Sequence, residues 1–147
     1  MPVQGFPVSA FVIERTEVKL DHERADRKSL HWHGVLAAAC EQSGRARLPV
    51  LAEPASLVNY AAAETADLKL ALDPGADLAL GDLPISRTST LPGIALVIGP
   101  EGGLSNRDLA ALEAGGFRGL RIGPRTLRTE TAGLAAIAAL QAMYGDW

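Results

Sequence analysis

An α/β fold, with a mainly parallel sheet and helices on both faces, is predicted by three features of this sequence. Short aliphatic runs without polar alternation, typical of strands covered on both sides, take turns with stretches of helical length. Two of these runs end directly in bends rich in glycine and proline, and each bend opens a helix. The length of 147 residues, 48% hydrophobic and 21% charged, suits one folded core rather than a disordered tail or a membrane bundle.

Phe6 to Glu14 reads as a buried strand. Asp26 can cap a helix to about Ser43, in which Leu30, Trp32, Val35, Leu36, Ala39 and Cys40 form a broad apolar stripe and Gly44 supplies the stop. Pro49 to Ala52 is weakly extended, and Ser56 opens a short Ala-rich helix to about Thr65. Leu68 to Leu72 is a strand closed by the turn signal Asp73-Pro74-Gly75. Pro74 to Pro92, rich in Pro, Gly and Asp, reads as a long surface connection. Ile94 to Ile98 is the clearest buried strand and runs into Gly99-Pro100-Glu101-Gly102-Gly103. A helix follows, opened by Ser105 with Asp108 in capping-box spacing and stopped by Gly115-Gly116. Phe117 to Ile122 is the next strand, Gly123 to Arg128 the second bend, and Thr129 to Tyr144 the final helix.

Composition narrows the function. A net charge of −3 argues against gripping nucleic acid over the whole surface, because such binding neutralises many phosphates. Yet Arg118, Arg121, Arg125 and Arg128 fall in one stretch without an acid, which suits either an anionic partner or a solvated charged edge. The uncharged run Thr131 to Gly145 is shorter than a bilayer span, so no transmembrane segment is expected. The start, MPVQGFPVSA, has no basic flank and no long apolar core, and one cysteine excludes an internal disulfide; a cytoplasmic protein is expected. His31 and His33 point about 200° apart on a helix and Cys40 lies two turns away, so no metal site is expected.

In a parallel sheet the bends after Leu72, Ile98 and Ile122 would meet at the carboxyl edge, where such folds bind ligands. The glycines suit either a pocket lined by main chain or ordinary tight turns. A phosphate cradle fits poorly. The bend after Ile98 has neither the G-x-G-x-x-G spacing nor the G-K-[ST] ending, and Glu101 would set a carboxylate beside the phosphate. A ligand with a positive charge or ribose hydroxyls fits better, and S-adenosylmethionine has a sulfonium and a ribose.

The runs Leu96-Val97-Ile98-Gly99-Pro100-Glu101-Gly102-Gly103-Leu104-Ser105 and Arg121-Ile122-Gly123-Pro124-Arg125-Thr126-Leu127-Arg128-Thr129-Glu130-Thr131-Ala132 resemble the cofactor-binding half of the RsmE family. Its members are the 16S ribosomal RNA uridine-1498 N3-methyltransferases of the SPOUT superfamily. Glu41-Gln42-Ser43-Gly44-Arg45 and Gly145-Asp146 match the pattern too. The resemblance begins around Gln4-Gly5-Phe6-Pro7-Val8, which implies a methyltransferase domain without the family's PUA-like RNA-binding barrel or its own first strand and helix. Two positions depart from the family: Asp73, where relatives often have His, and Leu104, where they often have Phe.

That resemblance implies a C-terminal trefoil knot, a homodimer, and 16S ribosomal RNA or the small subunit as partner. It places S-adenosylmethionine against Leu72, Gly99, Glu101, Gly102, Gly103, Ile122, Gly123 and Leu127, mostly through backbone groups. Gly102 in particular is expected to let the backbone approach the cofactor. Methyl transfer to the N3 imide needs close positioning and help for its anionic form. Arg128 is expected as the cation near the carbonyl oxygens. Glu130 is expected as a base or as the group orienting Arg128, and its charge would also suit a helix N-terminus. Arg118, Arg121 and Arg125, with Gln42 and Arg45, are candidates for RNA binding, the last two equally for dimer contacts. The competing expectation is a catalytically silent dimerisation or RNA-binding module that keeps the cofactor pocket.

Overall fold

The computed structural model describes residues 9–10, 13–14, 22–53, 55–85 and 93–145, which divide into two compact units, within Pro7–Tyr60 and within Ala61–Trp147.

In the first unit, β1 (Ser9–Ala10) pairs in parallel with β3 (Val50–Leu51), and β2 (Ile13–Glu14) with β4 (Ala55–Ser56). These short strands occupy part of the predicted Phe6 to Glu14 strand; residues 6–8, 11 and 12 lie outside the described set. Between them runs α1 (His22–Ser43), which begins one turn before Asp26 and ends where Gly44 turns to φ +70°. Its predicted stripe is only partly covered. Cys40 is buried, but Leu30 is 73% and Val35 53% exposed, so the apolar face is wider than the surface it packs against. The next helix, α2 (Leu57–Ala63), starts where Ser56 Oγ accepts the Asn59 N–H at 3.2 Å, the capping role its hydroxyl predicts.

The second unit is built on a three-stranded parallel sheet in the order β6 (Ile94–Val97), β5 (Leu68–Leu72), β7 (Arg118–Leu120). Register places Leu70 between Leu96 and Arg118, and Leu72 beside Leu120. Leu70 and Leu120 are fully buried, and they cluster with Leu140 and Tyr144 of α4 (Thr129–Tyr144). Gly133, Ala136, Leu140 and Tyr144 recur every three or four residues, which makes one buried stripe along that helix. The opposite pleat of β5 carries Lys69, whose Nζ donates to the Gly115 carbonyl at 3.1 Å, at the end of α3 (Asn106–Ala114). A cation there complements the negative end of the helix.

Strand and helix limits agree with the sequence closely in this unit, because each end carries its own stop. At the start of α3, Ser105 Oγ accepts the Asp108 N–H at 3.2 Å and Asp108 Oδ2 accepts the Ser105 N–H at 2.9 Å. The stretch after Pro74 is the exception. It is not simply a surface connection: Ala79 bridges Arg121 in parallel, Leu80–Asp82 forms a 3-10 turn, and Leu83 is buried in the core cluster. Leu78, Leu80, Leu83 and Ile85, spaced among the polar residues, supply the apolar side chains that pull it inward. Residues 86–92 lie outside the described set. No described helix is long and apolar enough to cross a membrane.

Candidate functional site

Parallel strands send all their outgoing loops to one edge, and at that edge of the second unit lies a cavity of about 630 Å³. Leu72, Asp73 and Pro74 reach it from the end of β5, and Ile98 to Glu101 with Gly103 and Leu104 from the end of β6. From β7 come Leu120, Ile122, Gly123 and Arg125 to Arg128, and from the first turn of α4 Thr129, Glu130 and Ala132. The volume is in the range of small-molecule sites, roughly 300–1,000 Å³.

The bend after β6 is held tightly. Gly103 donates to the Pro100 carbonyl at 2.7 Å and sits at φ +73°, a conformation that favours glycine. Gly99 has a different constraint: a Cβ there would lie 2.9 Å from the Leu104 backbone nitrogen, so the bend closes on itself only without a side chain. The Pro100–Gly103 bond leaves Glu101 and Gly102 at the tip of the turn, both exposed. Glu101 lines the cavity, whereas Gly102, expected to let the backbone approach the cofactor, is not among its lining residues.

The second bend joins the first through α4. Thr129 Oγ1 donates to the Gly99 carbonyl at 3.0 Å, across thirty residues of chain. Arg128 is the N-cap residue of α4, and its side chain makes no capping bond. Its carbonyl accepts from Thr131 at 2.9 Å and Ala132 at 2.7 Å, so the backbone is fixed while the guanidinium stays exposed at the cavity. Glu130 occupies the first turn, where a carboxylate is favoured by the helix dipole. The wall thus mixes Arg125 and Arg128 with Asp73, Glu101 and Glu130, alongside aliphatic side chains from all three strands.

Of the expected cofactor-contacting residues, Leu72, Gly99, Glu101, Gly103, Ile122, Gly123 and Leu127 line this one cavity, together with Arg128, Glu130 and Arg125. Arg118 does not, because it stands at the amino end of β7, away from the carboxyl edge. Arg121 does not either; its Nε donates to the Ala76 carbonyl at 3.0 Å and ties down the loop after β5. Gln42 and Arg45 are exposed at the end of α1, in the other unit. Asp73 and Thr129 reach the wall without having been singled out as contacts. Asp73 follows a strand directly, and that was its signal; its Oδ1 accepts the Gly75 N–H at 2.9 Å and shapes the turn. Thr129 stands at a helix start within the family-like run, its only sequence signals. Among the described residues no cluster of His, Cys, Asp and Glu could hold a metal ion.

The family pattern described as RNA methyltransferase domain matches residues 7–141. The ribosomal RNA small subunit methyltransferase E of Buchnera aphidicola subsp. Schizaphis graminum is 33% identical over 121 residues, 82% of this chain and 48% of the relative. Its Mycobacterium tuberculosis counterpart is 34% identical over 144 residues, 94% of this chain and 53% of the relative. This chain therefore spans about half the length of these curated relatives. Among solved structures, a Legionella pneumophila protein in complex with the bound cofactor SAM superposes with a TM-score of 0.84 at 37% identity, over 97% of this chain and 57% of that one. A ribosomal RNA small subunit methyltransferase E from Neisseria gonorrhoeae, bound to S-adenosyl methionine, gives 0.78 at 31% identity, over 95% and 55%.

Proposed function

This chain belongs to the RsmE family of SPOUT RNA methyltransferases, and on that premise we propose that it binds S-adenosylmethionine and methylates N3 of a uridine in 16S ribosomal RNA. The observation that carries the reading is the convergence of the β6 and β7 bends and the first turn of α4 on one cavity. Its wall suits the cofactor. Leu72, Ile98, Leu104, Ile122 and Leu127 offer apolar area for a purine, the bends offer backbone groups, and carboxylates and guanidiniums match a ligand carrying both signs of charge.

When bound, S-adenosylmethionine supplies a methyl group made electrophilic by its sulfonium. The protein's part is to hold that methyl in line with N3 and to favour the imide's anionic form. Arg128, fixed by its backbone and free to reach into the cavity, holds the negative charge that gathers on the uracil carbonyl oxygens. Glu130 accepts the N3 proton or orients Arg128. Arg125 at the cavity, Arg118 on β7 and Arg121 just after it, and Gln42 and Arg45 at the end of α1 serve RNA, Arg121 only with what its bond to Ala76 leaves available.

The same reading takes the whole chain as one methyltransferase domain, since the family match runs from 7 to 141, and it includes a trefoil knot supported by the family likeness. It also includes a homodimer: Leu134 and Ile137 are exposed on α4 beside its buried stripe. A ribosomal substrate places the work in the cytoplasm. Calorimetry with S-adenosylmethionine tests the first step, and incubation with small subunits lacking the mark, followed by mass mapping of the modified base, tests the second. Binding with methylation at N3 of a uridine is expected. Binding without transfer favours a silent module that keeps the pocket, and no binding overturns the proposal.

A further inference from the structure

The cavity has two walls with separate jobs, and one side-chain hydrogen bond joins them. The bend Gly99–Leu104 forms one wall, packed on itself so closely that a Cβ at Gly99 would lie 2.9 Å from the Leu104 nitrogen. The first turn of α4 forms the other and presents Arg128 and Glu130. Between them, Thr129 Oγ1 donates to the Gly99 carbonyl at 3.0 Å. One turn on, Gly133 meets Ile98 so closely that a Cβ there would lie 2.8 Å from Cδ1, which sets the distance of approach but offers no directional bond.

We propose that Thr129 is a positioning residue, whose hydroxyl latches the α4 N-terminus to the β6 bend and so sets the spacing of the two cavity walls before ligand arrives. The inference rests on the cofactor reading above and deepens it. A ligand that touches both walls binds best when their separation is already correct, because less ordering remains to be done on binding. Arg128 precedes Thr129 and Glu130 follows it, so the latch also fixes the residues that face the reacting base. Thr129 itself needs no contact with substrate to act in this way.

The test compares Thr129→Val, nearly the same shape without the donor, with Thr129→Ser, which keeps the donor. Each full chain is titrated with S-adenosylmethionine by calorimetry, melted in the absence of ligand, and followed by hydrogen exchange at residues 99–104. Thr129→Val is expected to weaken binding about tenfold and to speed exchange in the bend, with a thermal midpoint close to wild type; Thr129→Ser is expected to stay within about twofold of wild type. Wild-type affinity in Thr129→Val overturns the inference, as does an equal loss in Thr129→Ser. Should Val disturb the packing of α4, seen as a lower midpoint, Thr129→Ala removes the same donor from a smaller side chain and is read by the same criteria. A wild-type chain that does not bind S-adenosylmethionine overturns the cofactor reading and this inference together, whereas binding that Thr129→Val matches overturns the inference alone.

Discussion

Arg128 sits where backbone order and side-chain freedom coincide, since its carbonyl starts α4 while its guanidinium makes no capping bond. If it stabilises charge only as the reaction proceeds, Arg128→Ala should lower methyl transfer by about a hundredfold or more and change S-adenosylmethionine affinity little. Single-turnover rates beside calorimetry check this, and undiminished turnover would remove Arg128 from the mechanism. Neighbouring glycines separate just as sharply. Gly99→Ala forces a Cβ against the Leu104 nitrogen and should cut cofactor affinity about tenfold, whereas Gly102→Ala, with nothing within 4 Å of its Cβ, should leave affinity unchanged. Equal effects at the two positions would show that the bend is not the wall.

Elements are held by ends as much as by faces. The reciprocal Ser105–Asp108 bonds at the start of α3 satisfy two backbone donors, and Ser105→Ala should destabilise the second unit by about 1 kcal/mol in urea unfolding. Faces matter more where they are dry. Leu120, fully buried between β5 and α4, has no room to be replaced, and Leu120→Ala should cost about 2–5 kcal/mol by the same measurement. A smaller loss would mean that the core collapses around the gap. Both tests bear on the site, since β7 and α3 lead into and out of the bends that form it.

For the whole molecule, the open question posed by the surface is what covers α4. Leu134 is 74% exposed and Ile137 is also exposed, one position along from each of the buried Gly133 and Ala136. A homodimer would cover them, so sedimentation velocity of the wild-type chain should show a dimer and Leu134→Glu should shift it towards monomer. A wild-type monomer at all concentrations would overturn the dimer. Cofactor titration of the same variant then shows whether the cavity depends on the second copy.

Much of this was legible in one dimension. Alternating buried runs and capped helices placed β5, β6, α3 and α4 within a residue or two, because aliphatic runs, capping pairs and glycine stops act over a few neighbours. The family likeness and the parallel order named most of the cavity wall in advance, since every outgoing loop must reach the same edge. Other features depend on partners distant in sequence. The leucines after Pro74 turned inward because β7 offered them an edge and a core, Arg121 turned to Ala76 instead of outward, and Gly102 fell at the tip of a turn closed by its neighbours. The Thr129–Gly99 bond is of this kind as well. Local chemistry determined which segments are strands, helices and bends; only packing decided which atoms of those bends face the cavity and which are used to hold it shut.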